Sequence, residues 1–184
     1  MACVCLYFQL HQPPRLRRYS IFDRGEPYFD EPRNQQILEK VADKCYRPTL
    51  RLLRRLIDRH GDAFAVSFSL TGSILEQLQR HAPDVLTELH ALSQSRQVEF
   101  LAETYHHSLA SLYSEAELAA QVQRQCAAID ELFGQTPRVF RNTELIYSNA
   151  LAEQVTRLGG FIGILAEGAD RVLAGRSPNH VYQS

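Results

Sequence analysis

Five polar clusters in this chain carry side chains able to move protons or form esters, and each follows a short apolar run. They are His11-Gln12-Pro13-Pro14, Thr71-Gly72, Glu103-Thr104-Tyr105-His106-His107, Asn142-Thr143-Glu144 and Glu167-Gly168-Ala169-Asp170. Glu103 and Glu144 on neighbouring strand ends would suit glycoside hydrolysis. One carboxylate attacks the anomeric carbon and a second carboxyl protonates the leaving oxygen, about 5–5.5 Å apart in retaining enzymes. Glu144 equally fits a loop ion pair with Arg141 or a place at the start of the following helix, and Glu103 has a similar structural alternative. His11 fits a bond to a sugar hydroxyl, the orientation of a carboxylate, or a half-buried imidazole satisfied by backbone. His106 and His107 are adjacent, so in an extended segment they point opposite ways and cannot share one metal without a bend. A metal set of His11, one of this pair and Glu103 is the remaining coordination alternative.

Other chemistries lack their residues. No serine stands in a nucleophile elbow, and no glycine pattern resembles a phosphate cradle or dinucleotide fingerprint. The four cysteines, Cys3, Cys5, Cys45 and Cys126, match neither a zinc pattern nor a C-x-x-C pair. Cys3 and Cys5 are expected on one face of a strand, as small apolar side chains in a reduced interior.

The clusters need a scaffold, and the pattern supplies one. Residues 4–10 (VCLYFQL), 64–70 (FAVSFSL), 98–102 (VEFLA), 138–141 (RVFR) and 161–165 (FIGIL) read as buried strands, being short, apolar and β-branched or aromatic. Helices are expected over 34–46, from Pro48 to before Gly61 with leucines 50, 52, 53 and 56 buried, and over 73–80, 83–95, 114–133 and 149–158. Ser114 and Glu117 suggest a capping box, and Gly134 a stop. The first half of 13–62, rich in Pro, Arg and aromatics, reads as a functional loop. Strict β-α alternation implies parallel strands and an α/β architecture, with chemistry gathered at the carboxyl ends of the strands.

Composition excludes other classes. Among 184 residues, 45% are hydrophobic and 22% charged, so a folded core is expected. Twenty Lys and Arg against 21 Asp and Glu leave a net charge of −1, which offers no field for nucleic acid or an anionic membrane. Arg51, Arg54, Arg55 and Arg59 are expected to be a solvated helix face. The start, MACVCLYFQL, has no basic leader and no cleavage site, and no apolar run reaches the ~20 residues of a membrane helix, so a cytoplasmic protein is expected.

Taken together, YFQLHQPPRLRRYSIFD, SFSLTGSILEQL, FLAETYHHSLASLYS, FRNTELIYSN and ILAEGADRVLAGRSPNHVY resemble the amino-terminal half of glycoside hydrolase family 57, in its α-amylase-like branch. The pairing of His11-Gln12-Pro13 with Phe140-Arg141-Asn142-Thr143-Glu144-Leu145 is more specific than either motif alone. The resemblance implies a seven-stranded (β/α) barrel, of which five strands lie here, and a retaining mechanism on α-glucans or maltooligosaccharides with no cofactor and no metal. By position Glu144 matches the family's nucleophile and His11 the histidine of its first conserved region. Gln12, Gly72, Glu103 and His106 match substrate-binding segments. The family's general acid/base is an aspartate in a later segment, beyond Ser184, and Asp170 comes too early for that role. Residues 1–184 are therefore expected to be the amino-terminal part of one catalytic barrel domain, inactive by itself. With no tryptophan, Tyr7, Tyr19, Tyr105, Tyr147 and the phenylalanines are expected to support sugar rings. A 4-α-glucanotransferase or branching activity, a non-catalytic carbohydrate-binding remnant and a metal-dependent polysaccharide deacetylase are the alternatives. The last would place an aspartate after the first strand and a spaced histidine pair, and neither is present.

Overall fold

The structure, a computed structural model, describes residues 4–25 and 27–183. All five expected strands form: β1 Tyr7–Leu10, β2 Val66–Leu70, β3 Val98–Leu101, β4 Val139–Arg141 and β5 Gly163–Leu165. The five strands pair in parallel throughout, the one antiparallel contact among the described residues being an isolated Leu16–Phe29 bridge in the loop after β1. β1, β2 and β3 form one ladder and β4 and β5 another, and an Ala102–Phe140 bridge joins the two, with Ala102 N donating to Val139 O and Arg141 N to Ala102 O. Strand order thus follows chain order, the arrangement of a partial (β/α) barrel, with the helices as crossovers.

The helices are α1 Glu31–Val41, α2 Arg47–His60, α3 Gly72–His81, α4 Pro83–Ser93, α5 Glu115–Phe133, α6 Asn149–Leu158 and α7 Asp170–Leu173. No break precedes Pro48. Between α1 and α2 the chain widens into a π-turn, Ala42–Tyr46, where Arg47 N bonds Ala42 O. A wide turn relieves the clash and the lost donor that proline brings to a helix interior, so the two segments run on. The buried face of α2 is Leu50, Leu53 and Ile57, at i, i+3 and i+7, whereas Leu52 points outward and is exposed. Arg51, Arg54, Arg55 and Arg59 are all exposed on the outer side, with Arg54 paired to Glu88 at 3.4 Å. Ser114 Oγ accepts from Glu117 N, while the Glu117 carboxylate turns to Gln121, so the cap of α5 is only half of a capping box.

β1 starts three residues later than the apolar run suggests. Its partner β2 begins at Val66, in register with Leu6, whose carbonyl accepts from Ser67 N, so residues 4 and 5 have no β2 residue beside them and Val4 is 85% exposed. Cys5 is accordingly exposed rather than interior, and Cys3 lies outside the described residues.

Alternation along the strands separates two faces. In-register Phe8, Phe68 and Phe100 stack toward the helices, with Phe133 of α5 against Phe100 at 4.4 Å. Beyond the bridge, Phe140 continues this layer against Leu118, Val122 and Leu151. Each neighbouring residue must then point to the opposite face. Gln9, Ser69 and Arg141 are among them, joined by Glu103 just past β3, and the side chains of these four are linked to one another.

Candidate active site

The polar face converges on Glu103, which has no solvent-exposed surface. Ser69 Oγ donates to its Oε1 at 2.6 Å, and Arg141 NH1 lies 3.6 Å from its Oε2. Gln125 of α5 anchors the backbone here. Its amide donates to Leu70 O and Leu101 O at the ends of β2 and β3, and its oxygen accepts from Glu103 N. A buried glutamine thus satisfies groups that the sheet leaves unpaired where the strands end.

Glu144 projects from the turn Thr143–Leu145 at the end of β4, with its side chain 70% exposed. It does not pair with Arg141, whose guanidinium is buried against Gln9 and Glu103, and it does not cap α6, where Ser148 Oγ accepts from Leu151 N. Glu144 and Leu145 both have left-handed backbone, at φ 55° and 57°. Side chains resist that conformation, so the surroundings must impose it. They do so through Leu145 N to Asn142 O, Asn142 Nδ2 to Ile146 O, and Glu167 N to Leu145 O. Thr143 Oγ1, donating to Ser108 O and 3.0 Å from Thr104 Oγ1, ties this turn to the β3 loop.

His107 links the carboxylates. Its Nε2 is 3.1 Å from Glu144 Oε1 and its Nδ1 is 3.5 Å from Glu103 Oε2. The bond to Glu103, and then that to Glu144, raise its pKa above the usual histidine value against the opposing effect of burial. His11 stacks on the His107 ring at 4.4 Å, with Nδ1 3.0 Å from Thr71 Oγ1. Its partner is thus a side chain, not backbone. Burial, helped by the neighbouring His107 and Arg141 charges, lowers its pKa to about 4.

The structure therefore brings His11, Glu103 and Glu144 together, with His107 at their centre. His106 turns the other way, exposed, with Nδ1 3.2 Å from Ser73 Oγ. Gln12 faces away from the cluster, its Oε1 accepting from Arg15 and its carbonyl from Gln77. Gly72 lies beneath Tyr105, where a Cβ would sit 2.1 Å from the ring. Tyr105 is itself buried, donating to Glu76 under the Arg124 guanidinium, so no face of it is free for a sugar. Among the described residues, no three His, Cys, Asp or Glu side chains are placed to hold a metal ion. Gln9, Ser69 and Gln125 are not singled out by the sequence as members of the site, whereas His107 enters it only as one of an adjacent pair and Arg141 only as an alternative partner of Glu144. A polar residue at every second position of apolar strands is the available signal for Gln9, Ser69 and Arg141.

A buried carboxylate, an exposed one on a strained turn, and histidines between them at the carboxyl ends of parallel strands form a candidate glycosidase site, and known proteins share the scaffold. Residues 5–184 match the family described as "Glycosyl hydrolase family 57". A Methanocaldococcus jannaschii protein named "Putative alpha-amylase" is 42% identical over 182 residues, 96% of this chain and 38% of that protein. A 4-alpha-glucanotransferase from Thermococcus litoralis superposes with a TM-score of 0.72 at 17% identity, over 95% of this chain and 24% of that one. A branching enzyme from Thermococcus kodakaraensis superposes at 0.56 and 14% identity, over 87% and 39%. The chain thus spans about two fifths of the M. jannaschii relative and a quarter of the glucanotransferase. With the family pattern running through almost every residue, from before β1 to Ser184, the chain belongs to glycosyl hydrolase family 57.

Proposed function

We propose that residues 1–184 are the amino-terminal part of one catalytic barrel domain that acts on α-glucans with retention, Glu144 being the nucleophile. The observation that carries this reading is the Glu144 carboxylate itself, exposed on a left-handed turn at the end of β4 and held by a hydrogen bond from His107. Attack of a Glu144 oxygen on the anomeric carbon forms a glycosyl ester as the bond to the leaving oxygen breaks, and that oxygen takes a proton from a general acid. Glu103 is poorly placed to be that acid, being fully buried under Ser69, so the reading puts the proton donor outside residues 1–184. Water then releases the sugar, or a second glucan accepts it, which is the difference between hydrolysis and glucanotransfer or branching. His11 and His107 line the reacting position. Gln12, Gly72 and His106 belong to its surroundings, supporting the loops from which the site is built.

No cofactor enters the scheme. A reducing, cytoplasmic setting agrees with Cys5, Cys45 and Cys126 being free thiols, the last pushed up to about 11 by burial. No helix among the described residues is long and apolar enough to cross a membrane.

The test is to trap the ester with a fluorinated α-glucosyl fluoride and map the labelled peptide by mass spectrometry. The expected label is on Glu144. A label on any other carboxylate, or turnover of α-glucans without a trappable ester, contradicts the assignment.

A further inference from the structure

Gln9 on β1 and Arg141 on β4 stand 132 residues apart in the chain, yet their side chains meet on the polar face of the sheet. The Gln9 amide spans two of the groups described above: Arg141 NH2 donates to Gln9 Oε1 at 3.0 Å, and Gln9 Nε2 lies 3.2 Å from His107 Nδ1. A guanidinium only donates, so the Gln9 oxygen must face Arg141 and the amide NH2 must face His107. In that orientation the Gln9 contact is a hydrogen bond only if His107 Nδ1 offers a lone pair in place of a proton for Glu103. The neutral ring then carries its proton on Nε2, 3.1 Å from Glu144 Oε1, and every donor in the series points toward the Glu144 carboxylate.

We propose that Gln9 is a positioning residue for Glu144: by donating to His107 Nδ1 it holds the neutral imidazole as the Nε2–H tautomer that orients the carboxylate. The inference rests on reading Glu144 as the nucleophile. Glu103 competes for the same nitrogen. Its Oε2, 3.5 Å away, favours a proton on Nδ1, and a cationic ring would turn an N–H toward the Gln9 amide. The charged and titratable groups facing His107 are Glu103 past β3, Glu144 and Arg141 from β4 and its turn, and His11 past β1. The carboxylates favour the second proton, and Gln9 opposes it.

The test is a nitrogen-15 NMR titration of the histidine-labelled chain, with His107→Gln used to assign the ring. Wild type should show protonated Nε2 and unprotonated Nδ1 in the neutral form, with a slowly exchanging Nε2–H signal that Glu144→Ala removes. Gln9→Met keeps the side chain's length without its bonds. It should populate the Nδ1–H tautomer, weaken that signal and raise the His107 midpoint by about half a pH unit or more. Gln9→Glu should raise it further. In the complete enzyme, Gln9→Met should lower kcat about tenfold with KM within about twofold, and move the acid limb of the pH profile upward. An Nδ1–H tautomer in wild type, or a Gln9→Met spectrum like wild type, overturns the proposal, as does unchanged kcat in an active enzyme. If wild type turns over no α-glucan, the functional reading fails, while the tautomer and the Nε2–H signal still decide the role of Gln9.

Discussion

His107 and Glu144 meet across the ends of β3 and β4, each on a left-handed residue, at φ 56° and 55°, with Nε2 3.1 Å from Oε1. Neither backbone adopts this conformation cheaply, the cost being of order 1–3 kcal/mol per residue. The contact needs both loops held, and the Thr104, Ser108 and Thr143 hydrogen bonds hold them together.

Glu144→Gln should lower α-glucan turnover by several orders of magnitude in the complete enzyme while leaving the unfolding midpoint nearly unchanged. The amide keeps the shape but is a far poorer nucleophile, and the site is exposed, so little packing is lost. Reducing-sugar release and urea melts measure the two effects. Activity within tenfold of wild type removes Glu144 from the role.

Gly72→Ala should destabilise the fold by about 1–3 kcal/mol, the usual cost of overpacking, because its Cβ would overlap the Tyr105 ring. Tyr105→Leu removes the obstructing ring, so in that background the added cost of Gly72→Ala should shrink. Equal costs in both backgrounds, measured by urea unfolding, would show that the close approach is not what requires glycine.

Gln125→Leu should cost about 2 kcal/mol or more, since it strips partners from Leu70 O, Leu101 O and Glu103 N in the interior. The same urea measurement checks it, and hydrogen exchange at Glu103 N should quicken. A loss below about 0.5 kcal/mol would mean that these groups find other partners.

The two stacked histidines should give stability opposite pH dependences. His11 titrates at about 4 when folded, below the unfolded histidine, so the unfolded chain binds more protons and its stabilising contribution is lost as pH falls from about 6.5 to 4. His107 is raised, so its contribution is full below about 6.5 and is lost as pH climbs through its folded value. His11→Gln should flatten the acid side of a stability–pH curve and His107→Gln the other side. Mutant curves parallel to wild type across both windows would sink this account.

Local pattern made the scaffold legible. Each strand is a short apolar run, and strict β-α alternation leaves parallel pairing as the simple outcome, which the Phe8–Phe68–Phe100 register bears out. Pattern failed where the deciding term was not local. Residues 4 and 5 belong to the same apolar run, yet β2 begins only beside Leu6, and Pro48 reads as a helix start although a π-turn carries the helix through it. At the site, strand ends named the neighbourhood but not the orientations. His106 and His107 are indistinguishable as adjacent letters, and only the turn at φ 56° sends His107 toward Glu103 and Glu144 while His106 goes to Ser73. Gln9 and Arg141 look like ordinary strand residues until the ordered sheet sets them on one face. Side-chain alternation is encoded by each strand alone, but which inward residues touch depends on strand order and register, and those are settled by packing the whole sheet against its helices.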